Sequence, residues 1–450
     1  MKTIAEPKRH IDDLWGKQKI VTNCTYRLMK YVIHTNCEGN HLLHNVITGQ
    51  LVELDQEETK VLTGVPLRYT STMDKLIECH FLVPEDYDEY HQVKCLRKVL
   101  GLLTKEQGPK DIVGYTILPT TACNARCYYC FEKGSKISTM SEQTANDLVD
   151  FITSHCGKKK TVTLIWFGGE PTVAANRIDQ ICTGLRKNEI SFQSKMITNG
   201  YLFDEEMVSK AKDLWNLNGL QICVDGLEEN YNTIKDYVGT CDNPYQRVMR
   251  NIELLIGNEI RVGLRMNFDL GNYKDFYKLV EEVIERFGNS PLLRVGVHPV
   301  IGEHRNKNGE LLHGTDEWFT KMLVELNSLV IKKGLKNVEM ELPYLNYEAC
   351  SAYNDSTVTI TPEGNIVRCP EKFGDEQITG NLHTGVTNHE LVKSWKEIAD
   401  FPMCVDCALH PNCLRLVNCS NTTYCHKSMY LYKQCEDLIY NTFMKAKAMN

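Results

Sequence analysis

The sequence predicts an α/β protein built on a parallel sheet. Two observations carry this. First, apolar, β-branched runs recur through the middle of the chain: Val113–Pro119, Val162–Phe167, Ser194–Thr198, Leu220–Asp225, Arg261–Phe268 and Leu293–Pro299. Second, segments with helical spacing lie between them, and strand–helix alternation is the pattern of a parallel sheet. Periodicity alone allows either a curled barrel or an open doubly wound sheet.

Ahead of the sheet, residues 26–54 alternate and turn like a small antiparallel sheet. Its strands are Tyr26–Ile33, His41–Val46 and Leu51–Leu54, with Glu38-Gly39-Asn40 and Thr48-Gly49 as punctuation. Helix-favouring stretches follow over Gln56–Leu62, Thr72–Cys79 and Asp86–Leu102. Three strands followed by three helices give a winged-helix-like layout for residues 1–105. The segment is not strongly basic, and Glu53, Asp55, Glu57 and Glu58 crowd its middle, which argues against a DNA-binding module.

The helices expected between the parallel strands are Ser141–Cys156, Arg177–Arg186, Glu205–Trp215, Tyr245–Ile256 and Tyr273–Phe287. In the first, Leu148, Val149 and Ile152 share one face behind a Ser141 cap. Each strand ends in a chemically useful group. After the first comes Cys123-Asn-Ala-Arg-Cys127-Tyr-Tyr-Cys130. Three thiolates this close suit one face of an iron–sulfur cube, which takes four ligands and would keep one iron open. A structural zinc site wants four ligands, usually in two pairs. Gly168-Gly169-Glu170-Pro171 follows the second strand, Thr198-Asn199-Gly200 the third, and Cys223-Val224-Asp225-Gly226 the fourth. Glycines let a ligand approach the backbone, and a carboxylate accepts bonds from an ammonium group. Arg265 lies on the fifth strand and His298 ends the sixth.

The cysteine motif, with aromatic Tyr129 before its last cysteine, resembles that of the radical S-adenosylmethionine (SAM) enzymes. The resemblance implies a 4Fe–4S cluster on Cys123, Cys127 and Cys130 whose open iron is chelated by SAM, and a partial (β/α)6 barrel over residues 106–310. It also implies that one electron from the cluster cleaves SAM to release a 5′-deoxyadenosyl radical. Gly168-Gly169-Glu170-Pro171 matches the family element that holds the SAM amino group, and Thr198 and Asn199 match another element near the ligand. Cys223 stands where the family usually has a hydroxyl residue on the ribose, with Asp225 beside it. Lys235 stands near the position of an arginine that pairs with the SAM carboxylate; it offers a point charge rather than a fork. Arg265 is the rival for that role. The sequence names no catalytic acid or base.

Residues 301–312 read as a polar loop, and the helix Asp316–Lys333 behind a Thr315 cap bridges onward, within a bridging region of residues 311–345. The tail then brings Cys350, Gly364, Cys369, Cys404, Cys407, Cys413, Cys419, Cys425 and Cys435. Thr361-Pro-Glu-Gly-Asn-Ile-Val-Arg-Cys369 reads as a hairpin delivering a thiolate. Residues 346–450 resemble the SPASM domain of peptide-modifying radical SAM enzymes, through Cys350-x13-Gly364-x4-Cys369 and Cys404-x2-Cys407-x5-Cys413. The next cysteine departs from that pattern: Cys419 comes after five residues, not three, and Cys425 is a further candidate. The resemblance implies three 4Fe–4S clusters in all. Auxiliary cluster I falls to Cys350, Cys369 and Cys419 or Cys425, and auxiliary cluster II to Cys404, Cys407, Cys413 and Cys435. The Asn45–Asp55 hairpin looks like the domain that receives a leader peptide as an added strand in such enzymes.

Composition sets the outer bounds. The 450 residues allow several domains, and 42% hydrophobic with 24% charged residues is ordinary for a soluble globular chain. A net charge of −7 gives no field for nucleic acid or an anionic membrane. There is no apolar run of membrane-spanning length and no apolar signal core at the N-terminus, so a cytoplasmic chain is expected. Nineteen cysteines in a reducing compartment point to metal rather than disulfides.

Together these readings give an expected function: a maturase that installs thioether cross-links in a ribosomally made, cysteine-containing precursor peptide. Its leader would bind near residues 45–55, and flavodoxin or ferredoxin would be the reductant. The alternatives are a carbon–carbon or ether cross-link, formylglycine formation, or a non-catalytic iron–sulfur peptide-binding protein.

Overall fold

The computed structural model describes residues 1–449 apart from 64–65, 108–110, 159, 240–242, 289, 301, 303, 307, 313, 336–341, 346–349, 400, 415 and 420–425. Two compact units divide the chain. One comprises residues 1–108, 340–350 and 397–450, and the other residues 109–339 and 351–396.

The larger unit carries the parallel sheet. Its strands are Gly114–Thr120, Thr161–Gly168, Ser191–Thr198, Leu217–Cys223, Arg261–Phe268 and Leu293–Pro299, each hydrogen-bonded to the next in parallel. Spatial order follows chain order without a reversal. A doubly wound sheet needs a reversal to put helices on both faces. Crossovers of one hand in one direction put every helix on one face and curl the sheet. The fold is therefore the partial (β/α)6 barrel and not the open doubly wound sheet. It does not close on itself: the free edge of the first strand pairs with Thr357–Ile360, and the hairpin to Asn365–Val367 continues the sheet. The expected hairpin before Cys369 is thus present.

Local chemistry sets the helix starts. Ser141, Asp204, Asn243 and Thr315 each accept a hydrogen bond from a backbone N–H of the first turn that follows them. On the fifth strand Val262, Leu264 and Met266 are buried, while Arg265 and Asn267 share the opposite parity. Two helices of this unit were not foreseen, Glu228–Lys235 and the short His389–Ser394. Glu228–Lys235 is short and mostly polar, yet buries Tyr231, Ile234 and Lys235 along one face.

The smaller unit carries three antiparallel strands, Val32–Cys37, Asn40–Asn45 and Leu51–Glu53, followed by the helices Gln56–Thr63, Asp74–Glu78 and Glu89–Gln107, and adds further strands to them. The strand expected over Tyr26–Ile33 breaks into Thr25–Leu28 and Val32–Cys37, which lie in different sheets. A turn closed by Val32 N–H on Met29 O (3.0 Å) separates them. Thr25–Leu28 joins Leu67–Arg68 and Leu82–Pro84 in a second sheet. The expectation of an edge open to a leader near residues 45–55 is also corrected. Leu51–Glu53 pairs on one side with Asn40–Asn45 and on the other with Lys2–Ala5, so the chain's own N-terminal strand holds that edge.

The unit's tail brings a further unforeseen element, the helix His426–Met449. Its Ile439, Phe443 and Cys435 join Ile33, Leu42, Leu51 and Leu409 in one apolar cluster. No helix among the described residues is long and apolar enough to cross a membrane.

Candidate active site

The C-terminal ends of the parallel strands gather most of the groups singled out in the sequence. The cysteine loop follows the first strand and is tied to the second. Gly169 N–H donates to Thr120 O (3.1 Å) and Glu170 N–H to Ala122 O (2.9 Å). This approach requires glycine. Gly168 has φ +110°, and a Cβ there would lie 2.3 Å from Thr120 O; one on Gly169 would lie 2.5 Å from both Thr121 O and Ala122 O.

Glu170 is fully buried and knits two loops together. Its Oε1 accepts from Thr172 N–H (3.1 Å), Thr172 Oγ1 (2.5 Å) and Thr198 Oγ1 (2.8 Å), and its Oε2 from Asn199 N–H (2.7 Å). Burial raises its pKa, and these donors act the other way. Only one donor reaches Oε2, so that oxygen keeps acceptor capacity. Pro171 opens the short 3₁₀ turn that follows. Asn199 Nδ2 donates to Asn124 Oδ1 (2.7 Å), which pins the third strand's loop to the cysteine motif. The Nδ2 of Asn124 is buried with no partner among the described residues.

Around the fourth strand lies a buried charged cluster. Lys235 Nζ stands 2.7 Å from Asp225 Oδ2, with side chains 4% and 0% exposed. Lys235 also donates to Tyr129 Oη (3.0 Å), and that hydroxyl donates to Asp225 Oδ2 (2.5 Å). Asn267 Nδ2 donates to Asp225 Oδ1 (2.9 Å). Burial is the largest single effect and works against the charge on Lys235, but Asp225 together with Tyr129, Cys127 and Cys223 outweighs it and holds the ammonium well above its ordinary value. Lys235 is therefore the counter-ion of Asp225. Arg265 instead donates Nε to Asn267 Oδ1 (2.9 Å). Cys223 is raised by burial. His298 is lowered to about 4 by burial, with Arg265 adding to the effect.

The loop after Lys235 braces the cysteine loop from below: Arg126 N–H donates to Lys235 O (2.8 Å) and Val238 N–H to Asn124 O (2.8 Å). Several of these residues were not singled out in the sequence. Asn124 lies inside the motif, and the parity of Arg265 gives Asn267 away. Tyr128, which hydrogen-bonds Asp269 Oδ2, had no comparable signal.

Burial pushes the three thiols up, Cys123 to about 11 and Cys127 to about 12, with Cys130 raised in the same way, and each lies within electrostatic reach of another. Thiols raised by burial become good ligands once a metal cation compensates the thiolate charge. Among the described residues no group of three His, Cys, Asp or Glu forms a single-ion cage. A cubane occupies the space between its thiolates and needs them spread more widely. Three neighbouring soft donors, held close to the second strand end by two glycines, and the unpartnered Asn124 amide beside them fit such a cluster.

The tail cysteines are distributed over both units. Cys369 lies in the larger unit, and Cys350, Cys404, Cys407, Cys413, Cys419 and Cys435 in the smaller. Cys425 falls outside the described residues. Cys404, Cys407 and Cys413 follow one another on linked turns: Cys407 N–H donates to Cys404 O (3.3 Å), His410 N–H to Cys407 O (3.0 Å) and Cys413 N–H to His410 O (3.1 Å). Cys435 is buried in the apolar cluster against which Cys407 packs, and burial raises it to about 12. Cys404, Cys407 and Cys413 thus share one knuckle, and no single-ion cage forms there among the described residues.

Comparison with known proteins adds to this picture. Residues 117–286 match the model of the Radical SAM superfamily. The chain is 23% identical over 310 residues to a probable GTP 3′,8-cyclase of Methanococcus vannielii, spanning 65% of this chain and 95% of that one. It is also 23% identical over 309 residues to the GTP 3′,8-cyclase of Clostridium perfringens strain SM101, spanning 64% and 89%.

Among solved structures it resembles anSMEcpe with bound AdoMet, at a TM-score of 0.59 and 16% identity, over 75% of this chain and 100% of that one. It also resembles Streptococcus suis SuiB, at a TM-score of 0.51 and 15% identity, over 86% and 94%. SuiB bound to its precursor peptide SuiA gives a TM-score of 0.50 at 14% identity over the same shares. These likenesses are of fold.

Proposed function

We propose that this chain, which carries a radical SAM domain, is a peptide maturase that joins a cysteine sulfur to a carbon of a ribosomally synthesised precursor peptide. One observation carries the reading. Adjacent strand ends of a singly wound sheet bring the three-cysteine loop and Gly168-Gly169-Glu170-Pro171 into direct backbone contact. Peptides bound to the fold neighbours anSMEcpe and SuiB support a peptide substrate. A cluster on Cys123, Cys127 and Cys130 with bound SAM would supply abstraction of a hydrogen atom from an unactivated carbon.

The chain's own residues position and shield. Glu170 Oε2 and the backbone around Gly169 accept bonds from an ammonium group at the second strand end. Asn124 Nδ2 is free to donate to an anionic or carbonyl oxygen. Lys235, neutralised by Asp225, fixes the Tyr129 ring. Burial of Glu170, Asp225 and Lys235 keeps water from the strand ends, as a reactive radical requires.

In this reading Cys350, Cys369 and Cys419 or Cys425 serve auxiliary cluster I, where a peptide cysteine would bind as its thiolate. Cys404, Cys407, Cys413 and Cys435 would hold auxiliary cluster II, which would carry the electron away, while flavodoxin or ferredoxin would be the reductant. A leader peptide pairing beside Leu51–Glu53 would have to displace Lys2–Ala5.

The test uses Cys350→Ala with a cysteine-rich candidate precursor, under reducing, oxygen-free conditions. The variant is expected to cleave SAM at the rate of the unmodified enzyme and to leave the peptide without its thioether. Thioether formation by the variant, read as loss of a hydrogen pair by mass spectrometry, would remove cluster I from the reaction.

A further inference from the structure

The Cys407–Cys413 knuckle is shaped by residues from the far end of the chain. Arg97, on the helix Glu89–Gln107, is 8% exposed. Its Nη2 donates to the carbonyls of His410, Pro411 (3.2 Å) and Cys413 (2.7 Å). His410 is buried between two rings, with Tyr90 at 5.0 Å and Tyr31 at 6.2 Å between centroids. Leu409 anchors the same turn in the apolar cluster, and Asn412 Nδ2 donates to Tyr344 O (2.8 Å). Every one of these residues lies in the smaller unit.

A guanidinium nitrogen held among three carbonyls of one turn fixes the backbone side of that turn. Lysine carries the charge as a compact ammonium on a flexible stem, without the rigid planar head. Burying a guanidinium is costly, and the cost is lower beside a permanent anion. An iron–sulfur group held by four thiolates is such an anion, and hydrogen bonds, net charge and exposure set its potential.

We propose that Arg97 is a positioning residue for the Cys407 and Cys413 thiolates. It holds their turn and places a fixed positive charge beside the iron–sulfur group they carry. This rests on the reading that the tail cysteines bind such a group. A nearby cation favours the more negative, reduced state, so Arg97 raises the potential of that group.

The experiment compares Arg97→Gln, Arg97→Lys and Arg27→Gln in anaerobically purified full-length protein, by iron and sulfide content, EPR-monitored redox titration and iron release to a chelator. Arg27 pairs with Glu89 at the start of the same helix and does not touch the knuckle, so its variant controls for loss of stability. A Cys407→Ala/Cys413→Ala variant marks the signal of the tail group.

Arg97→Gln is expected to lower the midpoint potential of that group alone and to release its iron faster. Arg97→Lys should keep the potential near that of the unmodified protein but still release iron faster, and Arg27→Gln should change neither. Unchanged potential and release in Arg97→Gln would overturn the proposal. If Arg97→Gln does not fold, release from Arg97→Lys at the unmodified rate overturns it equally. Unmodified protein holding only about four irons, all lost when Cys123, Cys127 and Cys130 become alanine, would overturn the tail-cluster reading and the role of Arg97 with it.

Discussion

At the scale of single residues, burial decides which groups are charged. Asp225 and Lys235 are both removed from water, and each is tolerable only because the other is there. Their proximity to Tyr129 and Cys127 makes the pair part of the site's electrostatics rather than a surface ornament. His298 is the opposite case: it is held near 4 by burial and by Arg265, so it is neutral at neutral pH. Its folded value lies below its unfolded value of 6.5, and the stability it carries is intact above that pH. As pH falls from 6.5 toward about 4, that contribution is lost, by at most about 3 kcal/mol. Urea unfolding of His298→Gln at pH 7 and at pH 5 should show a smaller acid loss than the unmodified chain. An identical loss would show that His298 is not what the acid limb reports.

At the scale of elements, the second strand end works by closeness of backbone. Gly168 and Gly169 let the chain run against Thr120–Ala122, immediately ahead of Cys123. A methyl group at Gly169 would meet two backbone carbonyls, which have no flexible end to swing aside, so the cysteine loop must shift instead. Gly169→Ala should weaken SAM binding by about tenfold or more, the equivalent of roughly 1.4 kcal/mol. Equilibrium dialysis with anaerobic protein measures this, and helix content by circular dichroism should stay at the unmodified value. Binding at full affinity would mean that the glycine pair serves only the turn.

At the scale of the whole molecule, two compact units carry two sets of cysteines. The loop of Cys123, Cys127 and Cys130 lies in the larger unit, and Cys404, Cys407, Cys413 and Cys435 lie in the smaller. Replacing the first three by alanine should remove about four irons per chain and leave the rest, with SAM cleavage abolished. Loss of all iron in that variant would mean that the tail holds none.

Much of this architecture was legible in the chain. All six parallel strands, the Ser141 and Thr315 caps and the hairpin before Cys369 follow from period, capping chemistry and turn residues, which are local. What needed the tertiary structure has a common physical cause: a partner set by packing between distant segments. A run from Tyr26 to Ile33 reads as one strand, but a turn at Met29–Val32 sends its halves to different sheets. The edge beside Leu51–Glu53 looks open until Lys2–Ala5 pairs with it. Lys235 reads as a cation for a ligand, and becomes the counter-ion of Asp225 because an unforeseen helix turns it inward. Arg97 reads as one more charge on a helix, and lies on the carbonyls of a turn more than three hundred residues away in sequence. The sequence by itself determined the ligand spacing and the strand–helix alternation, since thiol spacing and side-chain period are properties of neighbouring residues. Sheet order, edge occupancy and the partner of each buried charge were decided only by the tertiary structure, because each depends on which remote segment arrives to satisfy it.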